Sequence, residues 1–386
     1  MDTPDFDTIF SRRGSDSVKW NRYPEDVLPL WVADMDFPTP EFIIEAIRKR
    51  LDHPFFGYGS CSIEVIESIC LWLMKRHNWQ VEPEHILLMP GVVSGFHWAV
   101  HSLLKPGESF IFQTPVYPPF FRVADNASVQ EIKVPFVEGM NQYEIDFDLI
   151  ERNIQSNSSL FLLCNPHNPV GRVFTGKELG KLGEVCTRNN LWICSDEIHS
   201  DLVYEGSTHI PIASLSEEIA QRTITLMAPS KTFNIPGLHF SFAVVSNEEI
   251  REKMAKSKKG LLGYTGLLAN AAAGAAYSNG EQWLNLLLKY LEGNRDLALN
   301  FFKERIPEIK TFKPEGTYLL WLDCSELQLN TEPYQFFLDK AKLGFNPGKP
   351  FGVSGSNHVR LNFGCPRSIL EQALERMADA IEAYRN

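Results

Sequence analysis

Three short apolar runs, each closed by polar side chains, constrain this chain more than any other feature. They are Ser159-Leu-Phe-Leu-Leu-Cys164, Leu191-Trp-Ile-Cys-Ser195 and Thr223-Ile-Thr-Leu-Met-Ala228. Each is too short for a buried helix, and the pattern reads as a strand covered on both faces. Helix-length amphipathic stretches such as 176–189 lie between them. Strand–helix–strand alternation makes such strands parallel, so their polar ends emerge on one edge of an open α/β sheet. Ligands collect at that edge, beyond the carboxyl ends of the strands.

The segments leaving those strand ends carry chemistry. Asn165-Pro-His-Asn-Pro-Val-Gly171 follows the first, Asp196-Glu-Ile-His-Ser-Asp201 the second, and Ala228-Pro-Ser-Lys-Thr-Phe-Asn234 the third. Asn168, Asp196 and Lys231 are therefore expected to face one crevice. Most loop lysines are simply solvated; one held at a sheet edge and partly desolvated is a weaker base and can act as a Schiff-base nucleophile. A fourth turn, Leu87-Leu-Met-Pro-Gly-Val-Val-Ser-Gly95, leads from a short strand into a helical pattern over 96–104. Free backbone amides of Gly91, Val92 and Val93 at such a helix start suit a phosphate. A lysine, a carboxylate and an amide beside a phosphate-cradling turn point to pyridoxal phosphate. The lysine bonds to the aldehyde, the carboxylate keeps the pyridine nitrogen protonated, and the amide tunes the ring's phenolic oxygen.

The same segments resemble the aspartate aminotransferase superfamily, fold type I of the pyridoxal phosphate enzymes. Trp31-Val-Ala-Asp-Met-Asp-Phe37, Pro166-His-Asn-Pro-Val-Gly171, Ser195-Asp-Glu-Ile-His-Ser200 and Ala228-Pro-Ser-Lys-Thr-Phe-Asn234 are similar to its cystathionine β-lyase branch, of the MalY/PatB type. The likeness runs from Phe6 to the carboxyl end. It implies Lys231 as the catalytic residue and a cofactor site made of Gly91, Val92, Val93, Tyr117, Asn168, Asp196, His199, Ser230 and Lys231. Tyr117 would stack on the ring, and Tyr58, in Phe55-Phe-Gly-Tyr-Gly59, would reach the phosphate of a neighbouring subunit. Arg360, in Val359-Arg-Leu-Asn-Phe-Gly364, would grip the substrate α-carboxylate through its planar fork. Asp34 and Met35 would lie near the substrate entrance. Two positions depart from the aminotransferase pattern: His199 stands where a tyrosine usually follows the aspartate, and His239 where many relatives have an arginine.

For each residue an ordinary role competes: a core tyrosine for Tyr117, a surface charge for Arg360, a structural turn for 91–93. Cys164 and Cys194 fall inside buried-strand patterns and read as small apolar core residues. Cys365 is expected close to the site.

The 386 residues exceed one ordinary domain. With 44% hydrophobic and 22% charged residues the chain reads as soluble and globular, and its net charge of −11 argues against nucleic acid. The beginning Met1-Asp-Thr-Pro-Asp lacks signal-peptide character, no apolar run spans a bilayer, and seven cysteines without a CxxC pair suggest reduced thiols. A cytoplasmic protein without a metal is expected. Residues 1–53 read as an amino-terminal arm and part of a small domain, 54–280 as a large cofactor-binding domain with a mostly parallel sheet sandwiched by helices, and 281–386 as a linking helix and the rest of a smaller α+β domain.

The function implied is a carbon–sulfur β-lyase acting on cystathionine or a related cysteine S-conjugate, in a homodimer with shared sites. An aminotransferase would use the same Lys231, Asp196 and Asn168, because the fate of the carbanion depends on pocket shape. A regulatory protein-binding role would be an addition to the enzyme fold, since no DNA-binding element is visible.

Overall fold

The computed structural model describes residues 4–258 and 260–386. At its centre is a seven-stranded sheet made of β1 (Ile86–Met89), β2 (Ser109–Thr114), β3 (Gln130–Pro135), β4 (Ser158–Cys164), β5 (Trp192–Asp196), β6 (Thr223–Met227) and β7 (Ser241–Val244). The spatial order is β1-β7-β6-β5-β4-β2-β3. Strands β2 to β6 pair in parallel, whereas β7 runs antiparallel to both neighbours, β1 and β6. The exception has a local cause. Between β6 and β7 the chain makes only the lysine loop and the short helical turn Pro236–Leu238. Without a long crossover a returning strand pairs antiparallel. Since β7 opposes both β1 and β6, β1 shares the direction of the other five, and the carboxyl ends of six strands open on one edge.

The strands alternate strictly between two apolar layers, as a period of two requires. Phe110, Phe112, Leu160, Leu162, Ile224 and Leu226 pack under helix Val92–Leu103. On the opposite face Ile111, Phe161, Leu163 and Ile193 pack under helix Gly176–Arg188. That helix begins with a capping box in which Thr175 and Glu178 satisfy each other's backbone amides, an arrangement worth about 1 kcal/mol. Register matters for the site: Cys164 lies opposite Asp196, and Asp196 opposite Leu226, so the segments leaving β4, β5 and β6 start at one level.

The two chain ends meet. Leu28–Pro29 pairs in parallel with Leu343–Gly344. Beside them an antiparallel three-stranded sheet has the order Leu319–Asp323, His358–Asn362, Asn346–Pro347. The helices Glu281–Arg305 and Arg367–Arg385 pack on each other. Among the described residues no helix is long and apolar enough to cross a membrane.

Candidate active site

A cavity of about 570 Å³ opens at the carboxyl edge of the sheet. Its wall includes Gly91, Val92, Val93, Tyr117, Asn168, Asp196, His199, Ser230, Lys231, His239 and Arg360. The four strand-end segments and the arginine from the small sheet are thus brought together in one chamber.

Each polar group is held for a reason. Asp196 is the last residue of β5 and buried; one carboxylate oxygen accepts the Ile198 amide at 3.1 Å. Burial, opposed by that amide and aided by the neighbouring Glu197 charge, pushes its carboxyl up to about 7. Lys231 Nζ donates to the Ala33 carbonyl at 2.6 Å and makes no ion pair with a described carboxylate. Desolvation pulls its amine down to about 8, against the opposing pull of Asp34. A lysine so shifted is partly neutral near physiological pH, as a nucleophile or general base must be.

Arg360 is buried and has no carboxylate partner among the described residues. Its Nη1 donates to Asn168 Oδ1 at 2.8 Å and its Nη2 to Asn346 Oδ1 at 2.6 Å, while its Nε is buried without an acceptor. The guanidinium also lies 5.0 Å over the Phe351 ring. A buried charge held only by neutral dipoles is costly unless an anion joins it. The bond to Asn168 commits that side chain's oxygen and leaves its amide nitrogen free to donate.

At the other end of the chamber, Gly91 precedes helix Val92–Leu103 without a side-chain cap. The first amides of that helix have no intrahelical acceptor, so they and the helix dipole favour an anion. The helix starts at Val92 rather than Phe96, since two valines and two glycines around that turn mask the helical pattern. Ser94, one turn in, also lines the cavity.

Some expectations require correction. Met35 is fully buried and does not face the cavity; Asp34 turns to Arg12, which it meets through two contacts of 2.8 and 2.9 Å. The preceding Trp31, Val32 and Ala33 line the wall instead. Asn362 Nδ2 holds that segment by donating to the carbonyls of Val32 and Asp34, and Asn234 holds its far end through Met35 and Phe37. Cys365 is buried away from the cavity, whereas Cys164 lines it. Burial, with the Asp196 charge, raises the Cys164 thiol well above its usual range, so it stays protonated. Tyr58 lies fully exposed outside its own chain's cavity, with Phe55 and Phe56 also exposed. His199 does face the chamber; burial and then the Lys231 charge lower its pKa to about 3, and its Nδ1 has no partner. His239 is an exposed residue at the rim with φ of 54°.

Sequence reasoning missed Trp31, Asn346, Phe351 and Tyr318. Tyr318 donates its hydroxyl to Ala33 at 3.0 Å, the same carbonyl that Lys231 uses. A buried asparagine such as Asn362 inside an apolar strand was the available signal, because such a group demands partners. Among the described residues no cluster of three or more His, Cys, Asp or Glu is arranged to hold a metal.

The chamber offers an amine, an uncompensated cation, a proton-hungry carboxyl and an anion-binding helix start. These suit a phosphorylated aldehyde with a basic ring nitrogen, together with a substrate carboxylate. The chain matches the aminotransferase class I and II family over residues 25–377. It is 41% identical over 384 residues to cystathionine beta-lyase PatB of Bacillus subtilis (strain 168), covering 97% of this chain and 99% of that one. It is 30% identical over 391 residues to protein MalY of Escherichia coli (strain K12), covering 99% and 100%. Among solved structures, cystalysin from Treponema denticola, which contains a pyridoxal 5′-phosphate cofactor, superposes with a TM-score of 0.95 at 36% identity, covering 99% of both chains. The geometry and the likeness agree, and the chain belongs to the class I and II aminotransferase family.

Proposed function

We propose that the protein is a pyridoxal-phosphate-dependent carbon–sulfur β-lyase, which converts cystathionine or a related S-substituted cysteine to a thiol, pyruvate and ammonia. The observation that carries this reading is the pair of unmatched groups in one chamber, the Asp196 carboxyl and the Arg360 guanidinium, with Lys231 on the same wall. When bound, the cofactor supplies an aldehyde for the substrate amine and a ring that accepts the electron pair left by the α-proton. Lys231 would hold that aldehyde at rest and, once displaced by the substrate, take the α-proton. Its amine, lowered to about 8, is suited to that task. Asp196 would stabilise a proton on the ring nitrogen, regaining the ionic partner it lacks. The Val92 and Val93 amides and the Ser230 hydroxyl would hold the phosphate, with Gly91 allowing the approach, and Tyr117 would cover the ring. Asn168 would donate its free amide to the phenolic oxygen, and His199 would face the same side. Arg360 would bind the α-carboxylate. The Cβ–S bond would break with its electron pair leaving on sulfur, and one water would be consumed in releasing pyruvate and ammonia.

The chamber wall suits the thioether-bearing side chain of a lyase substrate. Arg360 is the lone arginine lining it among the described residues, and Trp31, Val32, Tyr117 and Phe351 supply apolar surface. The relatives named as lyases support the same choice. The exposed aromatic loop around Tyr58 supports a homodimer in which each site receives that tyrosine from its neighbour, because such a patch is better covered than solvated.

The test is purified, cofactor-loaded protein given cystathionine. The expected result is stoichiometric pyruvate, ammonia and thiol without added keto acid. Amino transfer that depends on a keto acid, with little pyruvate, would overturn the assignment.

A further inference from the structure

Behind the cavity lies a buried polar chain that the catalytic reading does not use. Glu197, directly after Asp196, is fully buried. One of its oxygens accepts the Ser195 hydroxyl at 2.9 Å and the Ile212 amide at 3.2 Å; the other lies 2.7 Å from His209 Nε2. Asn165 Nδ2 lies 3.5 Å from the opposite ring nitrogen of His209, which leaves Nε2 as the donor to Glu197. The His209 ring meets the His77 ring edge-on at 5.3 Å. His77 Nε2 in turn lies 3.5 Å from the carboxylate of Asp201. Asp201 accepts the Trp72 indole at 3.0 Å and the Thr232 hydroxyl at 3.0 Å. Thr232 is the residue after Lys231.

The arc therefore begins next to one cofactor-facing group and ends next to the other. Strand β5, the 209–212 segment, helix Ile63–His77 and the lysine loop all contribute to it. Arg76, whose Nε is 4.0 Å from Asp201, closes its open side. Buried polar groups cost free energy unless satisfied. The Glu197 and Asp201 ends are hydrogen-bonded, whereas His77 Nε2 makes no hydrogen bond among the described residues. The two ends therefore couple through the His209–His77 ring contact and the 3.5 Å approach of His77 to Asp201. Simple stability would be served as well by apolar residues of the same volume.

We propose that Glu197, His209, His77, Asp201 and Thr232 form one positioning chain that sets the Asp196 carboxyl and the Lys231 amine relative to each other. None of them touches the cavity. The Glu197 charge also helps to raise Asp196, so the chain biases the proton affinity of the carboxyl as well as its place. This inference rests on the pyridoxal phosphate reading above.

Two substitutions test it, each in cofactor-loaded protein. Thr232→Val removes the hydroxyl at constant shape, and Glu197→Gln keeps the shape and removes the charge. We expect kcat to fall about tenfold in each with KM changed less than about threefold, because a misplaced base costs chemistry rather than binding. The pH midpoint of the bound cofactor's visible absorption should shift in both, and Thr232→Ser should restore wild-type values. Val185→Ala, on the buried face of helix Gly176–Arg188, should lower Tm while leaving kcat and the midpoint unchanged. Variants that lose Tm like Val185→Ala, with kcat and midpoint at wild-type values, would make the chain structural only and overturn the proposal. If Thr232→Val does not fold, Glu197→Gln decides by the same readouts. A wild-type protein that neither binds the cofactor nor turns yellow fails the underlying reading instead, which separates the two failures.

Discussion

The floor and the wall of the chamber are built on different principles. The floor, with Asn168, Asp196, Ser230 and Lys231, sits on segments leaving adjacent parallel strands, and its geometry follows from sheet register. The wall, with Trp31, Asn346, Phe351 and Arg360, is assembled from two stretches far apart in sequence, one around Trp31 and one over 346–360. Pairing between Asn346 and Arg360, a bond from Arg360 to the Trp31 carbonyl and the Asn362 clamp hold it together. The floor has strongly shifted acid and base groups; the wall has one charge surrounded by neutral dipoles and aromatic rings. A rigid floor suits bond-making that all members of such a family share, and a composite wall suits choice of substrate.

Breaking the floor should cost most. Asp196→Asn is expected to retain the cofactor but lose about 10²–10³-fold in kcat, the scale of one lost charge-assisted contact in a transition state. Near-normal turnover would reduce Asp196 to a strand-end acid. Altering the wall should cost less and in a different parameter. Arg360→Lys keeps the charge but loses the fork, so KM should rise about 10- to 100-fold with kcat less affected. An equal fall in kcat would mean that Arg360 acts in the chemistry.

The loop at 55–60 belongs to neither region of its own chain. Mixing inactive Tyr58→Ala and Lys231→Ala subunits should make about half of the dimers mixed, each with one intact site of two, so about a quarter of wild-type activity returns. Verified mixed dimers without activity, or an active monomer in sedimentation, would remove Tyr58 from the site.

The smallest effect concerns the cofactor-free protein. Asp196, raised from 3.8 to about 7, keeps a proton in the folded state that the unfolded chain has released. Its contribution to stability therefore falls as pH rises across that window. Asp196→Asn removes this titration, and its Tm advantage over wild type should grow from pH 4 to pH 7, corresponding to about 1 kcal/mol or more. Parallel Tm curves would show a solvated carboxylate. Bound cofactor should flatten the difference by supplying the missing positive charge.

The same contrast explains what could be read from residues alone. Asn168, Asp196 and Lys231 were legible because each follows a short apolar strand, and one rule about parallel strands brings three such ends together. Tyr117 and Arg360 were placed by resemblance, and both line the cavity. The wall was not legible in the same way, since nothing periodic in 31–37 announces that two distant asparagines pin it. The identity of the entrance residues shifted by a few positions for that reason: Arg12, 22 residues before Asp34, pairs with that carboxylate. The reversal of β7 was likewise invisible to a pattern of apolar runs, which records strand existence but not direction.

The central claim is that Lys231 carries the cofactor. Borohydride reduction of the yellow, cofactor-loaded protein, followed by peptide mapping, should place the pyridoxyl group on the peptide containing Ser230 and Lys231, and Lys231→Ala should abolish the label. A pyridoxyl group on any other lysine, or undiminished labelling of Lys231→Ala, would contradict the account.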